Sequence, residues 1–216
     1  FSMQTKQKRV AAIHDISCVG RCSLTVALPI ISAAGFDTSV LPTAVLSTHT
    51  GGFENFTYRD LTADIRPISD HWQSLALEFD ALYSGFLGSF EQIDLVAQLF
   101  DTFQSENTLT LVDPVMADHG ELYSIYTPEM AKGMTKLCAK ADIIVPNLTE
   151  ASFMLGVDYV GEDYDEAYIR DLLLVAPGEG GVDEKIDAML VEEADGVHYA
   201  LKGTGLAAEI VMHGGG

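Results

Sequence analysis

Asp113 closes an apolar, β-branched run over residues 108–112, and Pro114 follows it with no N–H to continue a central ladder. A carboxylate at the carboxyl end of a buried strand stands where open α/β sheets bind their ligands. Asp-Pro also starts turns, and taken alone the dipeptide fits a turn or a site. A second strand signal, residues 141–145, ends in Pro146-Asn-Leu-Thr-Glu150. Asn147 is placed to cap a helix over residues 148–155. Glu150 falls in its first turn, where exposed N–H groups and the helix dipole favour a carboxylate. Capping leaves the same groups able to reach a metal or a nucleotide. Two strands thus hand polar groups to one edge of an expected sheet. Near the end of the chain Gly203-Thr-Gly205 reads as a tight, flexible turn. Cys18 and Cys22 have a spacing that two metal ligands could use, but no partner pair follows, and we read them as small core or loop residues.

The elements that must position these groups alternate. Residues 9–13 form a strand signal, 14–20 a polar, glycine-containing turn, and 23–34 a helix that ends at Gly35, with Pro29 crowding it locally. Residues 37–46 read as a strand, so the opening is β-α-β, which implies a parallel sheet with a right-handed crossover. Ser47-Thr-His-Thr-Gly-Gly52 is a polar loop able to cover a site, and residues 53–60 continue as irregular, aromatic-rich chain. Ile68, Trp72, Leu75 and Phe79 have helical spacing. Residues 81–88 form a short strand breaking into a glycine turn, and 91–103 an amphipathic helix. Residues 128–140 are expected to be helical. Residues 186–192 and 197–201 are strand candidates, and 206–212 is too short to read as a helix. No repeat of 20 to 50 residues occurs.

Composition narrows the class. The 216 residues are 48% hydrophobic and 20% charged, enough for a sizeable core. Their 32 acids against 12 bases give a formal charge of −20, which opposes binding to nucleic acid or to an anionic membrane. An anionic ligand therefore needs local donors or metal ions. No apolar run approaches the ~20 residues needed to span a bilayer, no secretory signal is visible, and Cys18, Cys22 and Cys138 do not form a disulfide framework. A cytoplasmic protein is expected. Phe1-Ser2 before Met3 is read as a tag remnant.

The motifs together resemble the pyridoxal/pyridoxamine kinases of the ribokinase-like superfamily. The matching pieces are Ile13-His-Asp-Ile-Ser-Cys-Val-Gly-Arg-Cys-Ser-Leu24, Ser47-Thr-His-Thr50, Ser84-Gly-Phe-Leu-Gly-Ser89, Asp113-Pro-Val-Met116 and Pro146-Asn-Leu-Thr-Glu150, in that order. The resemblance implies an α/β fold, a three-layer α/β/α sandwich with a mostly parallel central sheet, as a single kinase domain over residues 3–216. It implies ATP-dependent phosphorylation of the 5′-hydroxymethyl group of pyridoxal, pyridoxine or pyridoxamine, with Mg²⁺, with a monovalent cation left open, and in a homodimer. By the same resemblance Asp15, Ser17, His49, Thr50 and Phe86 meet the substrate. Asp113 and Glu150 organise Mg²⁺ near the phosphates, directly or through water, with Asn147 beside them. Asp118 and Tyr126 lie in the segment that closes over ATP, and Gly203, Thr204 and Gly205 form an anion hole. The family often has a serine where Asp15 aligns. Phosphoryl transfer is mostly positioning and charge neutralisation, which suits scattered acids and a hydrated Mg²⁺. Neither a P-loop sequence nor the protein-kinase signature set is present.

The pattern departs at its end. The family carries Gly-Thr-Gly-Asp, with the aspartate as base toward the substrate hydroxyl, whereas Leu206 follows Gly205 here. The chain is also shorter than the pattern, so segments of the C-terminal third are expected to be left out of this sequence, the aspartate among them. Hydroxymethylpyrimidine kinases of thiamine synthesis share much of the pattern and form the alternative enzyme. A non-catalytic vitamer- or nucleotide-binding homologue is the alternative from another class.

Overall fold

Val10, Ala11, Ala12 and Ile13 make an uninterrupted apolar run, and all four are at most 8% exposed. Such a run fits a strand covered on both faces. In the computed structural model it is the core of β1 (Arg9–Ser17), which runs parallel to β2 (Asp37–Leu46) on one side and β4 (Ala81–Ser84) on the other, with β3 (Tyr58–Asp60) antiparallel on β2. The structure describes residues 6–50, 53–161 and 168, and the backbone of three later strands, 188–192, 198–202 and 209–213. The chain divides into two compact units, Phe1–Leu109 and Thr110–Gly216.

In the first unit β1 runs on through residues 14–17, where the sequence predicts a turn. Ile16 and Ser17 find partners in Val45 and Leu46 of β2, and Cys18 N–H donates to the Leu46 carbonyl at 2.9 Å. The register slips between His14 and Ile16, next to Pro42, which offers the ladder no N–H. Asp15 sits at that slip. β1 leads into α1 (Leu24–Ala33), which holds Pro29 in its interior. The helix expected over residues 68–79 is α2 (Thr62–Ser74) instead. It starts early because the Asp60 carboxylate accepts from Thr62 N–H at 2.7 Å, and it stops at Ser74 because Ala76 takes a positive φ of 51°. Trp72 and Phe79 still meet, with ring centroids 5.3 Å apart. α3 (Phe90–Phe103) begins where Ser89 Oγ accepts from Gln92 N–H, and it buries Ile93, Val96, Leu99, Phe100 and Phe103.

In the second unit β5 (Leu109–Val112) ends immediately before Asp113. A hairpin the sequence did not announce follows, β6 (Ala117–Asp118) and β7 (Glu121–Leu122). Its two connecting residues, His119 and Gly120, have φ of 50° and 81°, the pair of positive values that a two-residue type I′ loop requires. α4 (Pro128–Cys138) opens with Thr127 as cap and proline at its start. β8 (Ile143–Ile144) pairs parallel with β5, and α5 (Leu148–Leu155) ends on Gly156 in the left-handed region. β9 (Ala188–Glu192) is parallel to β8. β10 (His198–Lys202) and β11 (Glu209–His213) continue antiparallel. The segment read as too short for a helix thus supplies a strand, because β10 offers it a partner. Both units are α/β, with parallel pairing at their centres. Among the described residues no helix is long and apolar enough to cross a membrane.

Candidate functional site

In the first unit the expected substrate residues gather at and beyond the carboxyl ends of the parallel strands. Asp15 and Ser17 are 3% and 1% exposed, and Ser17 Oγ donates to Asp15 Oδ2 at 3.0 Å. Asp15 Oδ1, the other carboxylate oxygen, is buried and has no partner among the described residues. His49 N–H donates to the Val19 carbonyl at 3.2 Å, and its ring meets Phe53 edge-on at 4.9 Å. Gly20, at φ 121°, gives that ring room, since a Cβ there would lie 2.0 Å from His49 Cδ2. Phe86 is buried and its carbonyl accepts from Thr43 Oγ1 at 3.1 Å, while Thr50 is half-buried.

Two groups of this unit escaped the sequence reading. Tyr58 has its phenol pushed up to about 12, first by burial, then by Asp60 and Asp15. Its hydroxyl packs so closely that a Cβ on Gly88 would lie 2.2 Å away. Gln92, fully buried on α3, accepts from Gly88 N–H at 2.8 Å, donates to the Thr43 carbonyl at 2.9 Å, and donates to Thr62 Oγ1 at 3.0 Å. It ties the loop carrying Phe86 to β2 and α2. Tyr58 lay in residues read only as aromatic-rich chain. Gln92 looked like one polar residue in an amphipathic helix.

His14 is buried, and its ring stands edge-on to Tyr83 at 4.3 Å. Burial holds its imidazole down at about 4, so it is neutral at pH 7. A Cβ on Gly85 would lie 2.3 Å from His14 Nδ1, inside a packed core. Gly85→Ala is expected to cost about 1–3 kcal/mol through overpacking, read as a lower denaturant midpoint at unchanged m.

In the second unit Asn147 and Glu150 form the expected capping box. Asn147 Oδ1 accepts from Glu150 N–H and Glu150 Oε2 accepts from Asn147 N–H, both at 2.9 Å. The box also reaches across the unit. Glu150 Oε1 accepts from Met116 N–H at 3.0 Å, Ala117 N–H donates to the same carboxylate, and Asn147 Nδ2 donates to the Ala117 carbonyl at 2.9 Å. Glu150 is 2% exposed, and burial pushes its carboxyl up to about 7 against the pull of those N–H donors. Tyr123, also missed, has its phenol pushed up to about 12 by burial, then by Glu150, Asp118 and Asp113, so these acids share one neighbourhood. Asp113 is half-buried, Asp118 is exposed on the hairpin, and Tyr126 is buried. Gly203, Thr204 and Gly205 lie outside the described residues.

Among the described residues no group of three or more His, Cys, Asp or Glu side chains could hold a metal alone. Glu150 already accepts three backbone N–H groups. The acids present therefore suit an oxygen-seeking cation that keeps its waters and binds through one or two carboxylates, as Mg²⁺ does.

Parallel strands that deliver buried acids at their carboxyl ends define an α/β ligand-binding protein. The phosphomethylpyrimidine kinase family model matches residues 31–177, and the chain belongs to that family. A Bacteroides thetaiotaomicron protein described as a phosphomethylpyrimidine kinase, solved with pyridoxal, is 37% identical with a TM-score of 0.82, over 91% of this chain and 69% of that one. Pyridoxal kinase from Lactobacillus plantarum is 28% identical with a TM-score of 0.75, over 98% of this chain and 74% of that one. Among curated relatives, the pyridoxal kinase of Actinobacillus pleuropneumoniae is 32% identical over 119 residues, which is 54% of this chain and 41% of that protein. The chain spans less than half the length of that relative.

Proposed function

We propose that the protein transfers the γ-phosphoryl group of ATP to the 5′-hydroxymethyl group of pyridoxal, pyridoxine or pyridoxamine. The observation that carries this reading is the buried Asp15–Ser17 pair at the end of β1, in a fold shared with a 37%-identical protein solved with pyridoxal. Asp15, Ser17, His49, Thr50 and Phe86 orient the ring, and Tyr58 and Gln92 fix the loops that carry them. Asp113, Asp118, Tyr126, Asn147 and Glu150 serve the nucleotide. Mg²⁺, when bound, neutralises charge on the phosphate oxygens. Asp113 is its direct ligand in this reading, while Glu150, with its oxygens engaged by backbone, acts through water and by holding Met116 and Ala117 in place. By the resemblance, Gly203, Thr204 and Gly205 serve the transferring group as an anion hole.

The reading includes a single ribokinase-like kinase domain and a cytoplasmic homodimer. All three cysteines are free thiols, which agrees with a reducing compartment, and the dimer rests on the resemblance alone. The family description favours a second reading, phosphorylation of a hydroxymethylpyrimidine. ADP release with each vitamer and with hydroxymethylpyrimidine separates the two through kcat/KM. A full-length protein that forms no ADP with any vitamer overturns the first.

Asp113→Ala is expected to lower kcat by about 10²-fold or more, the scale for one electrostatic group at a reacting phosphate, and to raise the Mg²⁺ concentration needed for half-maximal turnover. The melting temperature should stay within a few degrees of the parent's. Unfolding of the variant would instead make Asp113 a structural turn residue.

A further inference from the structure

We infer that Asp15 recognises a nitrogen heterocycle in its ring-protonated form, accepting a hydrogen bond from the ring N–H⁺ through Oδ1. The inference deepens the proposed vitamer-kinase reading and rests on it.

A carboxylate that is 3% exposed has lost its water and needs donors in exchange. Ser17 Oγ supplies one, to Oδ2 at 3.0 Å. Oδ1 has none among the described residues. Asp15 takes part in none of the ion pairs Lys6–Glu78, Arg9–Asp37 and His119–Asp118. The neighbouring groups leave its charge without an offset, because both are neutral at pH 7. Tyr58 of β3 lies within the field of Asp15 and is hydrogen-bonded to Asp60, and its phenol stays neutral far above pH 7. His14 turns its ring to Tyr83 and Gly85 and is neutral at pH 7.

Three other buried polar side-chain atoms have no partner among the described residues: Nε2 of His14, next to Asp15 in the chain, Oγ of Ser84, a residue paired in register with Ile13, and Oγ1 of Thr48, just beyond β2. Unsatisfied polar atoms at adjacent strand ends mark a place where a ligand supplies the missing partners. What distinguishes Asp15 among them is charge. A buried carboxylate favours a cationic donor over a neutral one, since a charge-assisted hydrogen bond is about twice as strong. In this pose a flat heterocycle lies beside Phe86 and Tyr58, and its ring nitrogen becomes a cationic donor by taking one proton from solvent or, in a 3-hydroxypyridine, from its own 3-hydroxyl.

Two measurements on the full-length protein test this. Titration calorimetry of 3-deoxypyridoxine, which has no 3-hydroxyl to supply the ring proton, at pH 8 and in buffers of different ionisation heat, counts protons taken up on binding. The parent is expected to take up a substantial fraction of one proton per ligand, and Asp15→Asn, which keeps an acceptor for Ser17, close to none. The parent is also expected to bind pyridoxine at least tenfold more tightly than its carbocyclic analogue with C–H in place of the ring nitrogen, with Asp15→Asn losing most of that preference. A parent that binds both rings equally without proton uptake overturns the role of Asp15 and leaves the kinase reading standing. The same holds for an Asn variant that keeps the full uptake and preference. A parent that turns over no vitamer removes the kinase reading and this inference together.

Discussion

Glu150→Ala is expected to cost about 4 kcal/mol of stability at pH 5. The carboxyl oxygens accept from the N–H groups of Asn147, Met116 and Ala117, and a buried donor left without its acceptor costs ~1–3 kcal/mol. Water entering the vacated space recovers part of that sum. The loss is read as the shift in urea midpoint at constant slope. A cost below ~1 kcal/mol would mean that the capping box works only locally, as an ordinary N-cap does. The penalty should shrink as pH rises. The folded carboxyl titrates near 7 and the unfolded one near 4.5, so the native protein binds the extra proton between those values. Stability from this group is therefore present at acid pH and is lost as pH rises through 7, by about 3 kcal/mol, which the alanine variant escapes. Glu150→Gln should show the same loss of pH dependence with a smaller penalty at pH 5, because one acceptor oxygen remains.

His14 is expected to give a slope of the opposite sign. Its folded value is about 4 against 6.5 when unfolded, so the unfolded chain binds the extra proton. Its contribution is present above pH 6.5 and is lost as pH falls toward 4, by about 3 kcal/mol. Parent and His14→Gln unfolding curves, measured from pH 4 to 8, should diverge below pH 6.5, with the variant flatter. Parallel curves would show that the imidazole finds solvent on the acid side. Because the His14 and Glu150 windows overlap, the parent is expected to vary little between pH 5 and 6.5, and each variant to expose the other group's slope.

Much of the local architecture was legible in the sequence. The bounds of β2, the cap at Asn147 and the extent of α5 over residues 148–155 depend on residues within about four positions, and on such short ranges residue type and backbone preference agree. The placement of Asp113 directly after β5 has the same origin, since Pro114 ends the ladder. The rest was set by partners distant in sequence. Residues 14–17 look like a polar turn, yet they extend β1 because β2 and β4 flank the strand and β2 supplies the hydrogen bonds. Residues 58–60 and 209–213 became strands for the same reason, each finding an edge. The type I′ hairpin at His119-Gly120 is also anchored from afar, by Gly120 N–H donating to Thr149 Oγ1 at 3.1 Å.

The candidate site divides in the same way. The sequence by itself determined which acids stand at strand ends and that Asn147 and Glu150 cap α5, because strand termini and caps are local features. Only the tertiary structure decided that Glu150 spends its oxygens on Met116 and Ala117, some thirty-four positions from its own helix turn in the case of Met116. It also decided that Asp15 is buried with one oxygen satisfied and one not, and that Tyr58 lies in its field. Burial and the pairing of the last lone pair depend on how distant segments close around a side chain, which residue spacing does not encode.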